Sequence, residues 1–236
     1  MKILKNRAFT LAEVLITLGI IGVVAAMTIP TLISKIGKRQ LEAQIKTSYA
    51  TIVQTMRSSE ADDNAFDMLI SDFDDNNMKE WFKNYISPYM KIEKVCYNTF
   101  GCWHKKGEVK DLNKNKAWYS DNPGMGLNTL SFVTAKGIYF SIDGWGTLNT
   151  LNSIFGITSN QDSLIFYFDA NGDKKPNRVG KDIYVMVYVP DKGLIPAGSD
   201  KTVKEVEQNC LNGNGYWCLS YIKSNGWQIS DKVWKR

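Results

Sequence analysis

The sequence predicts an α+β protein in which a long N-terminal helix packs on an antiparallel β-sheet head domain. Residues 9–33 form an apolar run of membrane-spanning length, and apolar residues then recur at spacings of three and four to about residue 58. Beyond residue 128 the period falls to two, and aromatic and β-branched residues become frequent, which is typical of strands. A helix with a membrane half and an amphipathic half is therefore expected to precede a sheet.

The composition is that of a globular chain, with 44% hydrophobic and 22% charged residues among 236. The net charge is +5, but Lys2, Lys5 and Arg7 of a short basic leader supply three of the positive charges. Residues 9–236 hold 26 basic and 24 acidic residues and are nearly balanced. Since nucleic-acid binding rests on neutralising phosphates, this balance gives no strong nucleic-acid signal.

The apolar run reads FTLAEVLITLGIIGVVAAMTIPTLI and contains a single charged residue, Glu13. A cleaved secretory signal peptide is one interpretation, with a cleavage site at Ala25-Ala26, but its apolar core would be shorter than this run. A plain signal anchor accounts for the length and for the basic leader, which would stay cytoplasmic. Neither accounts for Glu13, because a carboxylate inside a bilayer is costly and indicates a function.

The stretch from Ala8 to Ile16, AFTLAEVLI, resembles the processing site of type IV prepilins and of the pseudopilins of type II secretion. In that family a prepilin peptidase cuts before a Phe and methylates the new amine. The fifth mature residue is a Glu, and a Pro commonly occupies the twenty-second position. Counted from Phe9, these positions are Glu13 and Pro30. The family usually has Gly before the cut, where this chain has Ala8.

The resemblance implies processing between Ala8 and Phe9 and assembly through the N-terminal helix. The new amine of one Phe9 would neutralise Glu13 of a neighbouring subunit, and Pro30 would kink or melt the helix because it lacks an N–H. The implied partners are the prepilin peptidase, other pilin or pseudopilin subunits and the membrane. The implied location is the cytoplasmic membrane, spanned once with an exported C-terminal head, and then a filament in the periplasm or at the cell surface.

Three parts are expected along the chain: a leader at 1–8, a transmembrane and assembly helix at 9–33, and a pilin-like head at 34–236. The head includes the second half of the long helix, 34–58. Hydrophobic spacing predicts a short helix within residues 77–90. It also predicts strands at 130–134, 138–142, 163–168 and 182–189.

Four cysteines fall as two local pairs, Cys96 with Cys102 and Cys210 with Cys218. An even number in an exported chain favours disulfides, and the simplest pairing closes one small loop at each pair. Free core thiols and a zinc site that includes His104 are the alternatives. Neither pair has the C-x₂-C spacing of common zinc ribbons.

Residues 169–182, DANGDKKPNRVGKD, form a polar loop between two predicted strands. Calcium prefers six to eight oxygen ligands, and alternate Asp and Asn side chains can supply them. The loop is not an EF-hand, since its sixth residue is Lys174 and its twelfth is Gly180. The alternative is a loop whose side chains cap its own amides. The candidate calcium ligands are Asp169, Asn171, Asp173, Asn177 and Asp182.

Motifs of the common enzyme classes are absent from the sequence, including the nucleophile elbow, the Walker loop, the dinucleotide fingerprint and HExxH. The chain is therefore predicted not to be an enzyme. The leading hypothesis is a structural subunit of a pilus-like or pseudopilus filament. The alternatives are a minor subunit at a filament tip that binds DNA, a surface or a secretion substrate, and a membrane-anchored exported protein of another function.

Overall fold

The computed structural model describes residues 9–62, 74–146 and 148–236. The first helix, α1 (Leu11–Asp62), contains the boundary between two compact units, which falls after Gln40. The first unit, as described, is the N-terminal part of α1 with the two residues before it, and nearly all of its side chains are exposed. The leader and Ala8 lie outside the described residues.

The second unit contains a six-stranded antiparallel sheet whose strands follow one another in chain order. This confirms the predicted α+β class with an antiparallel sheet in the head. The two edge strands were not predicted, because only one residue of β1 is buried and because β6 is four residues long with a Gly and a Pro. The strands are β1 (Ile92–Tyr97), β2 (Thr129–Thr134), β3 (Tyr139–Gly146), β4 (Ser163–Asp169), β5 (Ile183–Val189) and β6 (Gly193–Pro196).

Among the described residues of this unit there are five further helices. The predicted short helix is α2, which begins with a reciprocal capping box between Asp74 and Asn77 and ends at Tyr85, before Pro88. The three C-terminal helices make the end of the chain an ordered, packed region, as the Gly and aromatic residues there indicate. The helices are α2 (Asp75–Tyr85), α3 (Leu148–Ser153), α4 (Val203–Asn212), α5 (Cys218–Ser224) and α6 (Asp231–Trp234).

Aromatic side chains run in register across the helix-covered face of the sheet. Phe132, Phe140, Phe168 and Tyr184 are successive cross-strand partners. Their ring centroids are separated by 5.1, 6.0 and 5.6 Å along this row. Because cross-strand aromatic pairs stabilise a sheet, this row holds four strands together. The α1 residues that pack in the same core are Leu41, Ile45, Ile52 and Met56.

The opposite face of the sheet is buried as well. Ile165, Val185 and Val187 lie in a second core, which also contains Val109 and Val179 from the long connections. Strands β2, β4 and β5 are consequently buried along their whole length. This explains why β4 and β5 contain continuous apolar runs, whereas β2 places the small polar residues Thr129, Ser131 and Thr134 between apolar ones.

Both cysteine pairs are disulfides, and they join the residues that the simplest pairing joins. The Cys96–Cys102 bond has an S–S distance of 2.05 Å, and the Cys210–Cys218 bond has one of 2.00 Å. All four cysteines are therefore oxidised, and none is left as a thiolate ligand for zinc. Disulfides of this kind are typical of exported domains.

Candidate functional site

The first turn of α1 contains a reciprocal set of hydrogen bonds between Thr10 and Glu13. The amide and the hydroxyl of Thr10 each donate to Glu13 Oε2 at 2.8 Å. In return the amide of Glu13 donates to Thr10 Oγ1 at 3.2 Å. This is the capping box of a Thr-x-x-Glu sequence. Thr10 is a residue that the sequence analysis missed, although the motif was visible there, and it gives the Glu13 carboxylate partners within its own chain.

Other polar side chains of the apolar segment also bond to the helix itself. The hydroxyl of Thr17 donates to the carbonyl of Glu13 at 2.9 Å, and that of Thr28 donates to the carbonyl of Val24 at 2.9 Å. Pro30 lies inside α1, and the helix is continuous through it. The sequence predicts a kink or a melted turn here, and the turn is not melted in this structure. The polar groups are thus internally paired, and an apolar surface faces outward. Phe9, the predicted first mature residue, is 87% exposed.

Helix α1 contains a window of 18 residues with a mean hydropathy of 2.2, none of which is buried. Within the part of the chain that the structure describes, it is the one helix long and apolar enough to cross a membrane. A contiguous apolar surface of this size needs a non-aqueous surrounding or a partner.

Comparison with protein families agrees with this geometry, since residues 3–29 match the model of the prokaryotic N-terminal methylation motif. This segment is a type IV prepilin signature. The match is confined to this N-terminal segment and supports a processed, exported protein of the pilin-like or pseudopilin type. The motif and the apolar helix together are consistent with a membrane-anchored protein. Neither the curated proteins nor the solved structures gave a match, and the family match does not extend into the head.

The candidate calcium loop closes on two buried carboxylates. Asp169 ends β4 and Asp182 directly precedes β5, and both are fully buried. Asp169 Oδ1 accepts from the amides of Asn171 at 2.9 Å and Gly172 at 3.0 Å. Asp182 Oδ2 accepts from the amide of Asn177 at 3.0 Å. The backbone amides of the loop therefore donate to the two acids that flank it.

His104 is the long-range partner of this loop. Its Nε2 lies 3.0 Å from Asp169 Oδ2, and the two side chains are 1% and 0% exposed. Sequence reasoning found no partner for His104, because the two residues are 65 positions apart. The pair is closed to solvent and to substrates, so its role is to hold the loop. The arrangement gives no support for histidine-dependent catalysis.

Burial shifts the ionisation of both loop acids. It raises the pKa of Asp169, against the opposing effect of the hydrogen bond from His104. Burial and the neighbouring charge of Asp169 together raise the pKa of Asp182 to about 7. Two carboxylates thus lie in one dry loop, where burial favours the neutral form of each.

The five candidate calcium ligands do not form an open cage. Every carboxylate oxygen of Asp169 and Asp182 already accepts a hydrogen bond, and Asp173 is exposed and bonds to Tyr139. The side-chain oxygens of Asn171 and Asn177 are buried without a hydrogen-bond partner. Two such oxygens fall short of the six to eight that calcium prefers. Among the described residues, no group of three His, Cys, Asp or Glu side chains is arranged to hold a metal. The two acids accept from amides of the loop, as the self-capped alternative expects, and calcium binding stays a prediction.

Proposed function

We propose that the protein is a structural subunit of a type IV pilus-like or type II secretion pseudopilus filament. The observation that carries this proposal is the N-terminal methylation motif on an exposed apolar helix. The prepilin peptidase removes the leader before Phe9 and methylates the new amine. The helix at 9–33 then holds the subunit in the cytoplasmic membrane, with the head on the exported side, until the subunit joins other pilin-like subunits.

The contacts of Glu13 suggest how assembly is driven. In the single chain its carboxylate accepts from the amide and the hydroxyl of Thr10, which are neutral donors. In the filament the amine of a neighbouring Phe9 replaces or joins these donors. The amine adds a positive charge opposite the carboxylate, and the attraction between opposite charges is much stronger in a medium of low dielectric constant than in water. The exchange therefore favours subunits that lie in register.

The state of the mature N-terminus tests the first step of this proposal. Mass spectrometry of the protein from its native membrane should find N-methylated Phe9 as the first residue. An Ala8→Gly variant should be processed at least as completely, since it restores the residue that the prepilin family usually has before the cut. A chain that begins at Met1 or near Met27 would overturn the proposal.

The role of Glu13 needs a separate measurement. Glu13→Ala should leave membrane insertion intact, because it removes a charge that is costly to insert. The same variant should lose at least tenfold in filament incorporation, measured in sheared filament fractions. Thr17→Ala is the matched control, since its hydroxyl bonds only to backbone carbonyls of the same helix among the described contacts. Normal incorporation of Glu13→Ala would refute the amine–carboxylate exchange.

A further inference from the structure

A short β-ribbon beside the main sheet joins two basic segments that are distant in the sequence. Lys110 pairs with Lys116 in antiparallel fashion and with Arg178 in parallel fashion. The Lys110 amide donates to the Asn177 carbonyl at 3.1 Å, and the Val179 amide donates to the Lys110 carbonyl at 2.9 Å. Three chain segments therefore run side by side at this place.

The alternation of side chains along the ribbon places the cationic side chains on its outer face. Val109, Ala117 and Val179, the neighbours of the paired residues, are 1%, 4% and 0% exposed and belong to the second core. Successive side chains of a strand point to opposite sides, and paired residues share a side. Lys110 and Lys116 consequently project from the outer face beside Arg178, whose Nε atom is buried. Both lysines are exposed, and Arg178 is half-buried.

The C-terminal residues add a third basic segment to the same place. Arg178 Nη1 donates to the carbonyl of Arg236 at 3.4 Å, and Lys181 Nζ donates to the carbonyl of Trp234 at 2.5 Å. Partial burial and the positive charges of Arg178 and Lys114 lower the pKa of Lys181. We call Lys110, Lys114, Lys116, Arg178 and Lys181 the basic ribbon.

Charge is distributed unevenly between this region and the rest of the chain. Residues 105–121, 173–182 and 231–236 hold twelve Lys or Arg and six Asp or Glu, a net charge of +6. The remainder of residues 9–236 holds 14 basic and 18 acidic residues, a net charge of −4. Of the six acids, Asp182 is fully buried and Asp121 forms an ion pair with Lys116. The near-neutral total thus conceals a strongly basic region.

We propose that the basic ribbon binds the sugar–phosphate backbone of a nucleic-acid strand. The clustered cations supply the electrostatic contacts that such binding needs. Trp118 follows Lys116 by two residues and is 61% exposed, so it offers a face on which an unpaired base stacks. This exposed ring favours a single strand over a duplex, whose bases are not accessible for stacking. The binding is independent of filament assembly and adds a recognition activity to the structural role.

The test measures fluorescence anisotropy of labelled oligonucleotides with the detergent-solubilised full chain, between about 50 and about 200 mM salt. The unmodified protein should bind the single strand more tightly than a duplex of equal length, and less tightly as salt rises. Combining Lys110→Gln with Lys114→Gln should weaken binding and reduce the slope of log affinity against log salt by about 1.4, since each lost contact to a single strand removes about 0.7. The matched control combines Lys83→Gln with Lys204→Gln, two exposed lysines of α2 and α4 outside the ribbon, and should change neither quantity.

A third variant separates stacking from charge. Trp118→Ala should reduce single-strand affinity about tenfold and leave the salt slope unchanged, as expected for the loss of one stacked base. Absence of binding at the lowest salt would overturn the proposal. The proposal would also be overturned if heparin, a sulfated polysaccharide, bound as tightly as the single strand and if Trp118→Ala left single-strand affinity unchanged. These two results would assign the ribbon to acidic polysaccharides. Thermal unfolding of each variant shows that the head is folded in every measurement.

Discussion

Replacing Phe140 with alanine should lower the thermal midpoint of the head by about 10 °C. Phe140 is fully buried in the centre of the sheet, and its ring lies between those of Phe132 at 5.1 Å and Phe168 at 6.0 Å. It therefore stands in the middle of the aromatic row that joins four strands. Because the ring is packed between two others in the core, its truncation leaves a cavity in the middle of the row.

The magnitude follows from packing. Truncation of a buried Phe to Ala costs about 3–5 kcal/mol, through lost transfer free energy and the cavity that remains. For a chain of this size each kcal/mol shifts the midpoint by about 2–4 °C, which gives the expected value of about 10 °C. Phe140→Leu retains most of the volume and loses two aromatic pairs, each worth about 0.5–1.5 kcal/mol. The thermal midpoint of Phe140→Leu should therefore lie between those of Phe140→Ala and the unmodified protein.

Intrinsic tryptophan fluorescence during heating is a suitable assay, because Trp81 is 1% exposed and belongs to the same core. Leu127→Ala is the matched control, since Leu127 is 55% exposed and its truncation should shift the midpoint by less than about 2 °C. If Phe140→Ala behaved like this control, the aromatic row would not be a principal source of the stability of the head.

Three further predictions concern the loop and the first turn of α1. The free energy of unfolding of Asp182→Asn should rise relative to that of the unmodified protein as the pH rises from about 4 to about 7. A carboxyl whose pKa is raised on folding stabilises the folded state at low pH, and this contribution is lost as the carboxyl ionises. A difference in stability that does not depend on pH would contradict the shifted ionisation. Calcium should leave the thermal midpoint unchanged, since the oxygens of Asp169 and Asp182 already accept hydrogen bonds, and a rise that a chelator reverses would restore the calcium hypothesis. Thr10→Val should speed hydrogen exchange at the Glu13 amide about fivefold, the equivalent of about 1 kcal/mol of capping, whereas Thr10→Ser should not; equal exchange in both variants would show that the capping box is not formed.

The inner strands of the head could be predicted because β4 and β5 contain consecutive apolar residues, while β2 and β3 place aromatic and branched residues between small polar ones. The four predicted strands are the four inner strands of the sheet, and the predicted short helix is α2. The edge strand β1 escaped prediction because an exposed edge carries polar residues, and α3 escaped because a helix of six residues holds less than two full periods. Local hydrophobic pattern is informative where both faces of an element are covered, and weak where they are not.

The sequence by itself determined the N-terminal segment, with its methylation motif, membrane-spanning length and basic leader. These features, and the offsets among Phe9, Glu13 and Pro30, are one-dimensional properties, because they lie within one local segment of the chain. Only the tertiary structure decided that His104 holds Asp169, and that basic segments far apart in the chain meet in one ribbon. Such contacts depend on how a sheet brings distant segments together, and neither overall charge nor residue spacing contains that information.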